Sequence, residues 1–393
     1  MKRIALFVLL AIVFSVSVCR AENDKRDFAI DFLRESIEMY GDENLLVSPL
    51  SAEMALSLTS NGAKGQTQTE ILEMLGVDMG QQSLLNKRYG DMMIELQEKD
   101  SMSIVKMTNA VWIDDEFNLS KSFVDSSKYY YACVDAIDLQ NPANAKVINK
   151  WASDNTDNMI NDIVNEDMFK SDLRMIIANA LCFKGKWQMP FDEGMSADRS
   201  FYKENGEVDK VRMMRKTAHY RYFRPEKSDF QMVCLDYDGR KYEMVVLLPD
   251  EGKSVTDVIG ELTSKTLAEW SRNARKRNIH LELPSFKMEW NRSLNDCFRR
   301  MGMERAFTGR ADFTGLSDSE RLSISDISQF TYIDVDESGT EAAAVTMISI
   351  KCTAAIMPEE VYPFVVNRPF LLFIRDKASE EILFAGKIGN PVR

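Results

Sequence analysis

Asp336-Glu-Ser-Gly-Thr-Glu-Ala-Ala-Ala-Val-Thr-Met-Ile-Ser-Ile-Lys-Cys-Thr353 alternates. From Thr340 onward one parity holds Thr340, Ala342, Ala344, Thr346, Ile348, Ile350 and Cys352, with no charge. The other holds Glu341, Ala343, Val345, Met347, Ser349, Lys351 and Thr353, with both charges. Successive side chains of a strand point to opposite faces, so this is the pattern of a half-buried strand. Fully extended, the segment would span roughly 46 Å at about 3.3 Å per residue. Its small residues come first, which suits passage into a crowded gap between strands. Ala342, Ala343 and Ala344 favour a strand only weakly, which also lets the segment exist as a loop. On these residues alone, an ordinary central strand and a loop able to become a strand both stand.

The text on either side is mostly strand. Residues 330–335 (Phe-Thr-Tyr-Ile-Asp-Val) precede the segment as a strand, and 364–374 and 381–388 come after it. Further upstream, 231–236, 242–248 and 280–286 read as strands, interrupted by helices at 255–272 and 292–302. The N-terminal half is richer in helix. Phe28, Phe32, Leu33, Ile37 and Tyr40 recur at helical spacing over 25–41. Ser48-Pro49 is a cap with proline at the first helical position, opening a helix through Ser60. Thr67-Gln-Thr-Glu70 matches a capping box, closed by Gly76. A strand begins at Ser103, residues 144–165 are polar and helical, and 174–183 reads as a strand buried on both faces. Helices first and strands later is an α+β pattern. No repeat, low-complexity tract or linker divides the chain, so 22–393 reads as one domain.

Composition narrows the classes. The 393 residues are 45% hydrophobic and 28% charged, which excludes disorder, collagen and coiled coil. With 49 basic against 61 acidic residues, the net charge of -12 argues against nucleic-acid binding. Lys2 and Arg3 precede an apolar run over 4–18 that closes at Cys19-Arg20-Ala21, the form of a secretory signal cleaved after Ala21. A lipid anchor at Cys19 is the alternative, poorly served by bulky Val18. Loss of Lys2, Arg3 and Arg20 leaves 46 basic against 61 acidic residues, a charge of -15. The protein is therefore expected outside the cytoplasm: extracellular, or periplasmic or at the cell surface in a bacterium. The sequons at Asn118 and Asn291 carry glycans only in a eukaryotic secretory route. No later run is long enough to span a membrane.

Catalytic constellations are missing. There are two histidines, His219 and His280, and no Gly-x-Ser-x-Gly elbow. Ser103–Lys106 and Ser200–Lys203 match Ser-x-x-Lys but lie in strand-like text. Asn61-Gly-Ala-Lys-Gly65 lacks the Gly-Lys-Ser/Thr of a phosphate loop. The basic run 272–277 reads as a solvated turn, with a sulfated polysaccharide as its alternative role. Cys133, Cys182, Cys234, Cys297 and Cys352 are odd in number, which leaves at least one thiol free, and are not spaced for zinc; they read mostly as buried apolar thiols. No enzyme, cofactor or metal site is indicated.

Six stretches together resemble the serpin family. Glu337-Ser-Gly-Thr-Glu-Ala-Ala-Ala344 is similar to its hinge, and Asn367-Arg-Pro-Phe-Leu-Leu-Phe-Ile374 to its C-terminal signature. Ile382-Leu-Phe-Ala-Gly-Lys-Ile-Gly-Asn-Pro391 resembles its last strand. Asn44-Leu-Leu-Val-Ser-Pro-Leu-Ser51, Asn179-Ala-Leu-Cys-Phe-Lys-Gly-Lys-Trp187 and Ala306-Phe-Thr-Gly-Arg-Ala-Asp-Phe313 complete the set, in the family's order. The resemblance implies a single α+β domain with three β-sheets, about eight or nine helices and an exposed reactive-centre loop at about 337–363. It implies a monomeric suicide inhibitor: a serine protease, trypsin-like or elastase- or subtilisin-like, or else a cysteine protease, attacks the loop, and the cut loop inserts into the main sheet. Such loop insertion is a known form of strand addition. The alternative is a non-inhibitory carrier, chaperone or storage protein.

Residue by residue, the resemblance puts the hinge at Glu337, Gly339, Thr340, Glu341, Ala342, Ala343, Ala344, Val345 and Thr346. The bait bond falls at Thr353-Ala354, fourteen past Gly339. A loop several residues longer than in many relatives leaves Lys351 and Cys352 as alternatives. Ser48, Ser51 and Asn179 match a polar cluster whose hydrogen bonds hold two strands apart until insertion, with Gln329 where the family often has histidine. Trp187 and Glu337 match the place where the loop first enters. The usual basic partner of that glutamate is replaced by Ser285, which leaves Lys287, two residues on, as the nearby base.

Overall fold

A computed structural model of the protein describes residues 26–41, 44–97, 103–169, 173–317, 322–340 and 359–392. Among them are nine α-helices: α1 Phe28–Tyr40, α2 Pro49–Ser60, α3 Gly65–Met74, α4 Gln82–Gln97, α5 Lys121–Ser127, α6 Ala145–Asn155, α7 Val255–Ile259, α8 Ser264–Asn273 and α9 Asn295–Arg300. The strands are β1 Leu45–Val47, β2 Ser103–Asp114, β3 Cys133–Ile137, β4 Met175–Lys186, β5 Ala197–Tyr202, β6 Val208–Phe223, β7 Phe230–Asp236, β8 Tyr242–Pro249, β9 Arg275–Pro284, β10 Phe286–Ser293, β11 Asp326–Val335, β12 Gly339–Thr340, β13 Val361–Val365, β14 Phe370–Asp376 and β15 Ile382–Ile388. The chain is α+β, as its pattern implies. Among the described residues no helix is long and apolar enough to cross a membrane.

Six strands form one sheet in the order β10-β11-β12-β4-β2-β3. Nine form a second network, in which β1-β15-β14-β8-β7 joins β6-β9-β13 and β5. The join is short: Arg221, Tyr222 and Phe223 at the end of β6 pair with Cys234, Val233 and Met232 of β7. The three sheets expected are thus one separate sheet and two halves linked by the end of β6.

Helix α2 is the axis between the sheets. Ser48 caps it, its hydroxyl accepting from the Ser51 amide at 3.2 Å, and Pro49 takes the position where no amide is needed. Every residue of α2 except Glu53 is buried, because β4 of one sheet and β15 of the other pack against it. The opposite face of the six-stranded sheet is covered by α6, where Trp151 meets Trp112 of β2 edge-on with ring centroids 5.0 Å apart. Two-sided cover explains the unbroken apolar run of β4: Ile177, Leu181 and Phe183 join the central core, and Ile176, Ala178, Ala180 and Cys182 the cluster beneath α6.

Several sequence readings are corrected. Helix α3 starts at Gly65, with no side-chain cap. The Thr67 hydroxyl instead accepts from the Asp312 amide (2.9 Å), and Glu70 accepts from the amides of Glu304 and Arg305. The helix over 144–165 ends at Asn155, since Asp157 and Asn158 take positive φ. The helix over 255–272 is two, α7 and α8, the second opened by a Thr263–Thr266 capping box. The strand over 280–286 is divided at Ser285, because β9 pairs with β6 of one sheet and β10 with β11 of the other. Residues 364–374 are likewise two strands, interrupted before Pro369, which cannot donate to a ladder. The helix at 292–302 shortens to α9. Cys182, Cys234 and Cys297 are buried and Cys133 is half-buried, and none of the four is in a disulfide.

Candidate functional site

The site is built at the upper end of β4 and β11. These strands pair in parallel from Asp326↔Ile176 to Tyr332↔Cys182. Above that level they part, and β12 lies between them, antiparallel to both: Gly339↔Lys186 and Thr340↔Gly185 on one side, Val335↔Thr340 on the other. The approach needs glycine. A Cβ on Gly339 would stand 2.1 Å from the Gly185 carbonyl oxygen and 2.7 Å from the Lys186 Cα. Gly185 is equally constrained, since its Cβ would meet the Tyr237 and Phe183 rings at 2.8 and 2.9 Å.

The turn leading into β12 is clamped by backbone bonds. The Asp336 carboxylate accepts from the amides of Ser338 (2.8 Å) and Gly339 (3.1 Å). The Trp187 indole donates to the Asp336 carbonyl at 2.9 Å, its amide to the Ser338 carbonyl at 2.9 Å, and the Phe191 amide to the Glu337 carbonyl at 2.8 Å. Trp187 also stacks on Tyr237, with centroids 4.6 Å apart and planes 13° from parallel. The fully buried Thr340 places its hydroxyl 2.7 Å from the Tyr237 phenol. Burial pushes that phenol far above its ordinary range, so it stays a neutral hydrogen-bonding group.

Glu337 finds its base elsewhere than expected. Its carboxylate pairs with Arg212 of β6, Nε to Oε1 at 2.8 Å, while Lys287 lies 3.9 Å from Glu289 and 5.2 Å over the Tyr332 ring. Ser285 donates its amide to the Arg212 carbonyl at 2.9 Å. Burial alone would raise the Glu337 carboxyl; the neighbouring Ser196 hydroxyl, its own backbone amide and the Arg212 guanidinium outweigh that and hold it below the usual carboxylate range. Arg212, 125 residues from Glu337 and in the other sheet, was not found by sequence reasoning.

Lower in the sheet, Ser48, Ser51, Asn179 and Gln329 are all buried. They form two separate sets of bonds. Gln329 accepts from the Ser48 amide and donates to the Ser48 carbonyl, both at 2.8 Å. Asn179 donates to the Asn109 side-chain oxygen of β2 at 2.7 Å. The Ser51 hydroxyl and the Asn179 side-chain oxygen have no hydrogen-bond partner among the described residues. Nor are the two strands held apart here: Gln329 and Asn179 face each other in register, and the cluster lies beneath a closed pair. Asn109 is the missed member, signalled only as an amide in the middle of an apolar strand.

The residues expected to form the hinge (Glu341, Ala342, Ala343, Ala344, Val345 and Thr346) and the bait (Lys351, Cys352, Thr353 and Ala354), and the leader expected at 1–21, lie outside the described residues. No hydrolase constellation forms among the described ones. His219 lies against Glu359 at 3.0 Å, and His280 against Thr217 at 2.9 Å and Glu282 at 3.2 Å. No group of three His, Cys, Asp or Glu side chains among the described residues could hold a metal ion.

The family model for Serpin (serine protease inhibitor) matches residues 23–391. The chain is 30% identical over 368 residues to a serine protease inhibitor of Cyanea capillata, covering 92% of this chain and 96% of that protein. It is 30% identical over 374 residues to the leukocyte elastase inhibitor of Equus caballus, covering 93% and 97%. The crystal structure of Tengpin, a thermophilic serpin in the native state, superposes with a TM-score of 0.83 at 30% identity over 93% of this chain and 92% of that one. Members of the family are mostly protease inhibitors and not enzymes, and some are intracellular. With the sheet architecture, the buried glycine strand and a match from end to end of the described residues, this chain belongs to the serpin family.

Proposed function

We propose that this serpin is a secreted suicide inhibitor of a serine protease. The protease's nucleophile attacks the carbonyl of Thr353, or of Lys351 or Cys352. The peptide bond to the next residue breaks, the new amine leaves, and an ester joins protease to loop. The freed strand then continues the path of β12 down between β4 and β11 and carries the protease with it. The observation behind this reading is the burial of Thr340. Its face is the charge-free parity of the loop, so a strand growing from β12 sends Ala342, Ala344, Thr346, Ile348 and Ile350 inward and keeps Glu341 outward.

Two driving terms favour the move. Burying a few of these side chains contributes about 1.5–3 kcal/mol each, on the order of 10 kcal/mol before costs. In addition, a strand antiparallel to both neighbours replaces one parallel ladder with two antiparallel ones, which are slightly more stable per residue. We also infer that residues 1–21 are a leader removed on export, leaving Glu22 as the mature N-terminus.

Mixing the protein with trypsin, pancreatic elastase and subtilisin, followed by denaturing gels and sequencing of the released peptide, tests the proposal. A complex that survives boiling in detergent, with a new N-terminus at Ala354, is expected. A new N-terminus at Cys352 moves the bait to Lys351. If every protease clips the loop and stays active, and the cut protein gains no heat stability, the non-inhibitory reading replaces this one.

A further inference from the structure

The strand β12 and the closed pair beneath it keep one register. Thr340 faces Gly185 of β4 on one side and Val335 of β11 on the other. Val335 and Gly185 stand at the same offset as Asp326 and Ile176, and as every closed pair up to Tyr332 and Cys182. A strand that enters therefore needs its neighbours to part sideways by one strand spacing, about 4.8 Å, with no sliding.

Continued residue for residue from Thr340, that register fixes what each arriving side chain meets. Ala342 falls between Phe183 and Ile333, and Ala344 between Leu181 and Thr331, whose hydroxyl already donates to the Leu46 carbonyl at 2.7 Å. Ile348 falls between Ile177 and Ile327. Thr346, the one hydroxyl of the inward parity between Thr340 and Cys352, falls between Asn179 and Gln329. That is the one closed rung whose two residues both carry amides. Apolar thus meets apolar, and the hydroxyl meets the polar rung.

Two buried polar atoms at this level have nothing to bond. Asn179 spends its amide nitrogen on Asn109 at 2.7 Å, and its side-chain oxygen has no partner among the described residues. The Ser51 hydroxyl has none either, and both residues are buried. They share one side of the sheet. Asn179 has the parity of Ile177 and Leu181, which join the central core. Gln329 holds the amide and carbonyl of Ser48, which seats the first turn of α2, with Ser51 in it, over the rung. A buried polar atom without a partner is costly and uncommon. We propose that Ser51 and Asn179 are positioning residues that receive the Thr346 hydroxyl: it donates to the Asn179 oxygen and accepts from the Ser51 hydroxyl. The inference rests on the reading that the loop enters this sheet. A slip of two residues would bring alanine or isoleucine to the rung and leave both atoms unpaired, so the site also sets the register of the inserted strand.

The probes are peptides copying 340–353, the parent sequence and its Thr346→Ser and Thr346→Val forms, each labelled and equilibrated with the whole uncut protein. The parent and Thr346→Ser peptides are expected to bind about tenfold more tightly than Thr346→Val, the worth of two hydrogen bonds. In Ser51→Ala protein that preference should fall to about threefold, because the Asn179 oxygen remains. Uncut Ser51→Ala should melt no lower than the parent, since the hydroxyl it removes is unpaired there. Equal binding of the Thr346→Val peptide, a preference unchanged in Ser51→Ala, entry of none of the three peptides, or a Ser51→Ala protein that melts well below the parent overturns the proposal. If Ser51→Ala does not fold, that outcome counts against it too, and the peptide series on the parent protein stands as a separate test. Protease trapping is scored on its own gels: a peptide preference without trapping keeps this site and removes the inhibitor reading, and trapping without a preference does the reverse.

Discussion

The upper and middle thirds of the six-stranded sheet use the same two strands in opposite ways. At the top, β4 and β11 are parted by Gly339 and Thr340, and the contacts are those of a loop just arrived: close-packed glycines, a phenol on Thr340, and a salt bridge to Arg212. In the middle, the strands pair directly, with Gln329 against Asn179 in register and buried amides beneath them. Opening is therefore complete at one level and absent at the next, and the boundary falls between Thr340 and the Tyr332–Cys182 pair.

The largest expected effect comes from blocking that boundary. Thr340→Arg puts an unpaired charge where no surface is exposed, so holding β12 between β4 and β11 costs several kcal/mol, at rest and after cleavage alike. On the proposed mechanism the variant becomes a substrate: the amount of protein needed to silence one protease molecule rises at least about tenfold, read by active-site titration. A variant that traps as efficiently as the parent would remove the upper region from the mechanism.

A smaller effect is expected in the middle. Gln329→Leu leaves the Ser48 amide and carbonyl without their side-chain partner at a buried position, at about 1–3 kcal/mol. Denaturant unfolding should report that loss, and uptake of a peptide copying 340–353 should be faster, because β11 is less firmly held. Unchanged unfolding would mean that the amides do not close the sheet.

The smallest concerns Arg212→Ala. Arg212 is 44% exposed, so the loss at neutral pH is about 1 kcal/mol or less. Glu337 has a depressed value in the folded state, so its contribution is present above its unfolded value and disappears as pH falls through the folded one. Stability curves of parent and variant should converge in acid; curves that stay parallel would assign the difference to packing.

What was legible in the sequence was local or periodic. Ser48-Pro49 announces α2 because the cap closes within the four residues Ser48–Ser51, and β4 is plain because burial on both faces leaves a run of apolar side chains. The misread elements depend on partners far along the chain. Thr67 and Glu70 carry the letters of a capping box, yet both serve amides of 304–312. The division at Ser285 depends on which sheet each half joins, and no property of 280–286 itself encodes it. The site divides the same way. Its hinge is written as a parity pattern, whereas Arg212 and Asn109 enter it only through register between strands.

Two residues of β12 alter the kinetics out of proportion to their number. Starting a strand in a closed sheet requires closing a loop and wedging two neighbours apart before any ladder forms, and this molecule has passed both stages at rest. On the proposed mechanism, only elongation is left once the ester has formed, with the seven parallel pairs from Asp326 to Tyr332 exchanged one rung at a time. The outcome for a captured protease then becomes a race between ester hydrolysis and a zipper whose slider is already engaged.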